Sequence, residues 1–249
     1  MTDWNGVLAA APPVPLAGAL QRLVESQEQV ATNQLVASLA RQSVLEEMIE
    51  ATKPPQRRGT EALHYLLSTP FRYPPLKFGS RFGRRSEPSL FYGSRETRTA
   101  LAEAAYYRFV FWYGMTVPPP GKLDTQHTLF GADYKTERGL QLQHAPFAEH
   151  AAQLTHASDY TGSQALGAAM REAGIEAFEY TSARDPEHGL NVALFTPAAL
   201  ASPRPQFQDA WLCELTAAHV RFNAVHSPAG YDFPVEVFRV NGSLPWPGP

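Results

Sequence analysis

The sequence predicts an α+β domain, and three observations carry that prediction. Beyond residue 60, strand-like runs outnumber helical ones. Few of those runs are joined through a helix, as a doubly wound parallel sheet would require. The composition, 44% hydrophobic and 18% charged over 249 residues, is that of a globular chain with a substantial core.

In chain order, residues 14–52 read as helical. Leu16, Leu20, Leu23, Val24 and Val30 form a loose apolar stripe. Leu35, Val36, Leu39, Val44, Leu45, Met48 and Ile49 form a tighter one. Lys53-Pro54-Pro55 ends the pattern, because a proline disfavours a helical residue before it and lacks a backbone donor. The expected organisation is an N-terminal helical segment, 1–53, packed on a main domain, 60–249. Leu39, Leu45 and Ile49 are expected to bury against the rest of the chain or against a second copy.

Residues 61–67 read as a short helix, and Phe71–Tyr73, lying between prolines, as extended chain. Leu90–Tyr92 has strand character and Gly93 ends it. Ser94 is the expected N-cap of a helix from about Arg95 to Tyr113. Strands are expected at 127–130 and 140–142, then a helix at 160–173 closed by Gly174. Further strands are expected at 175–182, 191–195, 211–215, 219–222 and 235–240.

Charge and composition bound the function. The net charge of −3 argues against a general nucleic-acid surface. Between Arg72 and Arg108, however, eight Lys/Arg face three acids, a local charge of +5 that suits a small polyanion. A lone cysteine, Cys213, excludes an intrachain disulfide, and the N-terminus lacks the pattern of a secretory signal. No apolar run reaches the ~20 residues of a membrane span. A cytoplasmic protein is expected.

Within the basic stretch, Arg72 sits on a proline-flanked segment and Arg81 follows Gly79-Ser80. Guanidinium groups grip phosphates through paired hydrogen bonds, so these two are candidates for a pyrophosphate. Tyr73 and Tyr92 lie near them in sequence and either stack on a ligand ring or pack in the core. Glu103 shares a predicted helix face with Thr99, Ala100 and Tyr107. A carboxylate on such a face is costly unless it meets a partner; otherwise it is a surface glutamate at the helix edge. Ser182 lies where a strand gives way to the turn ARDPEHG, placed to donate to a ligand hydroxyl, and Asn191 opens the next strand. The histidines have no metal-helix spacing, so no metal is expected. Neither the G-x-G-x-x-G nor the G-x-x-x-x-G-K-[ST] nucleotide fingerprint is present.

Taken in order, F-R-Y (71–73), G-S-R-F (79–82), L-F-Y-G-S (90–94), T-A-L-A-E (99–103) and E-Y-T-S-A-R-D-P…G-L-N-V-A-L-F (179–195) resemble the RES-domain family, over roughly residues 60–215. That resemblance implies an ADP-ribosyltransferase-like α+β fold and the toxin half of a bacterial toxin–antitoxin pair that consumes NAD. The family's arginine, glutamate and serine would be Arg72, Glu103 and Ser182. Tyr73, Arg81 and Tyr92 fall at matching motif positions. The implied partner is a helix-turn-helix (Xre-type) antitoxin, with a homodimer possible and no direct nucleic-acid or membrane binding. The acceptor stays open between water, phosphate and a protein side chain. A catalytically inactive binding module on the same fold is the rival reading.

Overall fold

The computed structural model describes residues 2–26 and 39–247. The calls on Val30, Leu35 and Val36 lie outside them. The architecture is α+β: eight strands form one mixed sheet in the order β1-β2-β5-β4-β3-β6-β7-β8. The strands are β1 (Val14–Glu25), β2 (Phe91–Ser94), β3 (Leu123–Gln141), β4 (Ala177–Thr181), β5 (Leu190–Leu194), β6 (Phe207–Leu215), β7 (His219–Ala224) and β8 (Gly230–Pro234). The helices are α1 (Trp4–Ala9), α2 (Leu39–Thr52), α3 (Tyr65–Arg72), α4 (Thr97–Tyr113), α5 (Ala151–Leu154) and α6 (Thr161–Glu172). Among the described residues no helix is long and apolar enough to cross a membrane.

The first five strands close on themselves. β1 pairs with β3 along most of its length and touches β2 at Gln21–Ser94, while β2–β5, β5–β4 and β4–β3 complete the ring. Leu16, Leu20, Phe91, Phe130, Ala132, Ala177, Val192 and Leu194 fill its interior, and α3 adds Leu66, Leu67 and Phe71. Two further cores lie outside the ring. α4 packs Leu101, Ala105 and Phe109 on Trp211, Leu215, Val220 and Phe222 of the β6–β7 extension. α6 packs Leu166 and Met170 on Phe82, Phe178 and Phe195.

The strand β1 corrects the helical reading of residues 14–25. Leu16 and Leu20 are buried four apart, a spacing that satisfies both the helical repeat and the two-residue repeat of a strand. Eleven paired positions against β3 decide between them. Of the second stripe, the described part from Leu39 is helical, and α2 stops at Thr52 before Pro54-Pro55. Among its described apolar side chains, Val44, Met48 and Ile49 are 56%, 63% and 40% exposed, while Leu45 is half-buried. Ile49 therefore does not bury against the rest of this chain, which leaves the second-copy alternative of the expectation, and the side chain of Leu39 lies outside the described residues.

Three other readings shift. The two strand pieces at 127–130 and 140–142 belong to one 19-residue strand, β3; between them Asp133, Lys135 and Glu137 alternate with the buried Tyr134 and Thr136, because only one face is covered there. Residues 235–238 form a 3-10 turn rather than a strand, with Val235 and Phe238 buried three apart, and the strand lies just before it. Phe71 and Arg72 end helix α3, and only Tyr73 is extended.

Candidate functional site

The site is assembled on the outer face of the ring. In β2, β5 and β4, Ser94 stands opposite Asn191, and Asn191 opposite Tyr180. Directly opposed residues share a sheet face, so these three point the same way. Helix α4 begins just after β2, with Glu96 as its N-cap rather than the predicted Ser94. Its second turn brings Glu103 over that face. Ser182 follows β4 at the mouth of the 183–189 turn.

Glu103 meets the partners that its sequence position demanded. Its Oε1 accepts from the Ser182 hydroxyl at 2.7 Å and from the Asn191 amide at 2.6 Å. Both donors are oriented by third groups. Ser182 Oγ accepts from the backbone N–H of Arg184 (3.1 Å) and of Asp185 (3.0 Å), so its single proton is directed at Glu103. Ser94 Oγ donates to Asn191 Oδ1 at 2.7 Å, which turns the amide nitrogen toward Glu103. The second carboxylate oxygen, Oε2, receives no hydrogen bond among the described residues. One oxygen is fixed and the other is left to receive a ligand hydroxyl.

Around this carboxylate stand phenols and two buried guanidinium groups. Arg184, 5% exposed, donates to Ala157 O (2.5 Å) and Tyr160 Oη (3.2 Å), with its guanidinium 3.5 Å from the Tyr106 ring centroid. Burial opposes the charge of Arg184, but Tyr160, Tyr106 and Glu103 outweigh it and raise its pKa. Burial, with Glu103 and Tyr92 adding, holds the Tyr180 hydroxyl well above the usual phenol range. The Tyr107 hydroxyl is raised in the same direction by its desolvated surroundings, Tyr160 and Glu103, although the residue as a whole is 43% exposed. The phenols therefore stay neutral and keep their donor protons at neutral pH.

The predicted residues divide. Glu103 and Ser182 come together. Arg81 is 8% exposed; its Nη1 donates to Leu154 O (3.2 Å) and His156 O (2.9 Å), and its guanidinium lies 4.6 Å from the Tyr160 ring centroid. It is anchored beside the site, with electrostatic reach to Tyr107 and Tyr180. Tyr92 stands on the site's face of β2, its hydroxyl bonded to Ser80 Oγ (2.9 Å) and accepting from Phe82 N (3.2 Å). Burial pushes that hydroxyl up to about 12. Arg72 is the last residue of α3 and its Nε donates to Pro54 O at 2.6 Å. Tyr73 is 41% exposed, and its carbonyl accepts from Ser89 Oγ. Among the described residues, the hydrogen bonds to Glu103 come from Ser182 and Asn191, not from Arg72 or Tyr73. The basic stretch is also less free than its sequence suggests: Arg95 pairs with Glu179, Arg98 with Glu187, and Arg108 with Glu25.

Sequence reasoning missed Asn191 as a site residue, together with Ser94, Thr99 and Asp185. Asn191 lies within the quoted G-L-N-V-A-L-F motif, but its role depends on strand register. Among the described residues there is no cluster of three or more His, Cys, Asp or Glu side chains able to hold a metal ion.

The family model of the RES domain matches residues 54–222. Among curated proteins no match is found. In fold, the chain is similar to a chain of the M. tuberculosis MbcT–MbcA toxin–antitoxin complex, with a TM-score of 0.50 at 11% identity, covering 86% of this chain and 92% of that one.

Proposed function

Because this chain belongs to the RES-domain family, we propose that it is the toxin of a toxin–antitoxin pair and that it cleaves the nicotinamide–ribose bond of NAD. The single observation that carries the reaction is the state of Glu103: Oε1 clamped by Ser182 and Asn191, Oε2 open. Cleavage breaks the bond between ribose C1′ and the pyridinium nitrogen. The bonding pair leaves with nicotinamide and neutralises its ring, and positive charge develops on C1′ and the ring oxygen. A carboxylate fixed beside the ribose stabilises that charge, and the open oxygen can accept from a ribose hydroxyl. The acceptor's oxygen then bonds to C1′ and its proton leaves, which makes the enzyme a glycohydrolase with water or a phosphorylase with inorganic phosphate.

In this reading Arg81 contributes positive charge near the pyrophosphate, through the donors that its two carbonyl contacts leave unused. Tyr92 offers its ring from β2. For Arg72 and Tyr73 the assignment to NAD rests on the family resemblance alone. An antitoxin partner is supported by the fold likeness to a chain of a toxin–antitoxin complex; that it is a helix-turn-helix protein of Xre type is what the family resemblance implies. The setting is the cytoplasm, where NAD is held.

The test is direct. Pure protein incubated with NAD should release free nicotinamide, and product masses with and without phosphate should name the acceptor. Expression without its partner should slow bacterial growth and lower cellular NAD. No nicotinamide release by folded protein, together with normal growth at high soluble expression, overturns the proposal.

A further inference from the structure

The turn 183–189 is held to helix α4 by a contact that neither the family resemblance nor the reaction accounts for. Asp185 is 3% exposed. Its Oδ2 accepts from Thr99 Oγ1 at 2.8 Å, its Oδ1 accepts from the backbone N–H of Glu187 at 3.1 Å, and Arg98 Nε stands 3.7 Å from Oδ1. Thr99 lies four residues before Glu103, one turn up the same helix face. The backbone N–H of Asp185 is in turn one of the two donors that orient the Ser182 hydroxyl.

The turn is also closed on itself. Ser182 N donates to Gly189 O (2.8 Å) and His188 N to Asp185 O (2.9 Å). His188 has φ of +57°, a left-handed conformation uncommon for a non-glycine residue. Gly189 sits so close to the helix that a Cβ there would lie 2.0 Å from Thr99 Oγ1 and 2.8 Å from Asp185 Oδ2.

We infer that Asp185 is a positioning residue: its bond to Thr99 sets the height of the 183–189 turn on α4 and thereby aims the Ser182 hydroxyl at Glu103. A loop-borne donor 79 residues from its acceptor in sequence needs such a fastening. A misplacement of about 1 Å at a reacting group can cost up to a hundredfold in rate.

The kinetic arm rests on the NAD-cleaving function proposed above. Asp185→Ala should lower kcat about tenfold with KM within about twofold, because the loss falls on the transition state. Asp185→Asn keeps one acceptor oxygen for Thr99 and should retain activity within about threefold of the parent. In a Ser182→Ala background, Asp185→Ala should remove less than a further twofold, since its effect passes through Ser182. A purely structural role would instead lower both backgrounds equally, and that result overturns the inference.

A second arm needs no activity. Thr99→Val keeps the shape of the side chain and removes only the donor. Amide hydrogen exchange should then quicken at Arg184, Asp185 and Glu187 while strand β5 keeps its protection. Unchanged exchange at those amides overturns the inference. If the parent protein releases no nicotinamide, the proposed function fails on its own, and the exchange measurement still decides the role of Asp185.

Discussion

Two carboxylates lie on opposite faces of the same sheet, and their surroundings differ in kind. Glu179 points into the strand ring with Ala177 and Val192. Both of its oxygens are taken: Oε1 accepts from Tyr134 (2.5 Å) and Arg95 (2.7 Å), Oε2 from Gln141 (3.1 Å) and Gln143 (3.2 Å). Glu103, on the outer face, has two neutral donors on one oxygen and, among the described residues, none on the other. A carboxylate saturated with donors and paired with a cation is a structural fastener, because nothing is left with which to meet a ligand. A carboxylate half-held by oriented neutral donors has a fixed position and a usable charge. The fold therefore keeps one acid for stability and one for chemistry, and substitutions should separate them.

The largest expected effect is at Glu103. Glu103→Gln preserves shape and most hydrogen bonding but removes the charge. Turnover of NAD should fall about a hundredfold or more, by analogy with removing one electrostatic stabiliser from an active site. The KM should change little, since ground-state ribose carries no developing charge. Stability by urea unfolding should stay within about 1 kcal/mol of the parent. A folded variant that turns over NAD at the parental rate would remove Glu103 from the mechanism.

Glu179→Ala should show the reverse. It leaves Arg95 without its partner and the Tyr134 hydroxyl without its acceptor, which should cost about 2–3 kcal/mol of stability. Arg95 is 39% exposed and can turn to water, so the loss lies toward the lower end for a broken buried pair. The pH dependence has a definite sign. Burial alone would raise the Glu179 pKa, but hydrogen bonds from Tyr134, Gln141 and Gln143 and the charge of Arg95 outweigh it, and the folded value lies below the ordinary 4.5. A depressed carboxylate contributes its stability above the unfolded pKa and loses it as pH falls through the folded one. The stability gap between the parent and Glu179→Gln should hold from pH 7 to about 5 and narrow below about 4.5. If folded Glu179→Ala instead loses turnover as steeply as Glu103→Gln, the division between the two acids is wrong.

Asn191→Ala tests how far the fixed oxygen of Glu103 matters. It removes one of two donors and should lower turnover about tenfold, with about 1 kcal/mol of stability lost. An unchanged rate would mean that Ser182 alone holds the carboxylate.

What the sequence showed of this contrast depended on range in the chain. Helix α4 was legible, to within two residues at its start, because its apolar face and its lone carboxylate lie within about twenty residues. Helix α6 was legible for the same reason, including its stop at Gly174, whose φ is +69°. Strand β1 was not, because Leu16 and Leu20 fit two periodicities and only pairing with β3 chooses between them. The crowd of arginines between 72 and 108 was visible, but not that Arg95, Arg98 and Arg108 are paired with acids far away in sequence. Glu103 was visible as a carboxylate in need of a partner. Its donors lie 79 and 88 residues on, and the register that places Asn191 beside it is a property of three strands together.

The smallest expected effect concerns Ser94, which touches no substrate and stands one bond removed from Glu103. Its hydroxyl donates to Asn191 Oδ1 and so decides which end of the amide faces the carboxylate. Ser94→Ala leaves that buried oxygen without its donor, at a cost of about 1 kcal/mol in stability. The amide can then turn, but the turned form would set its own oxygen against Glu103 Oε1, which the repulsion between two acceptors opposes. Glu103 itself therefore preserves most of the productive orientation, and turnover should fall only about two- to fivefold. Combining Ser94→Ala with Asn191→Ala should cost no more turnover than Asn191→Ala alone, because Ser94 acts only through the amide. If the double variant is slower than Asn191→Ala by the full factor seen for Ser94→Ala, Ser94 reaches Glu103 by another route. The third-group control that sets Glu103 apart from Glu179 would then run through the β2–α4 backbone instead of the Asn191 side chain.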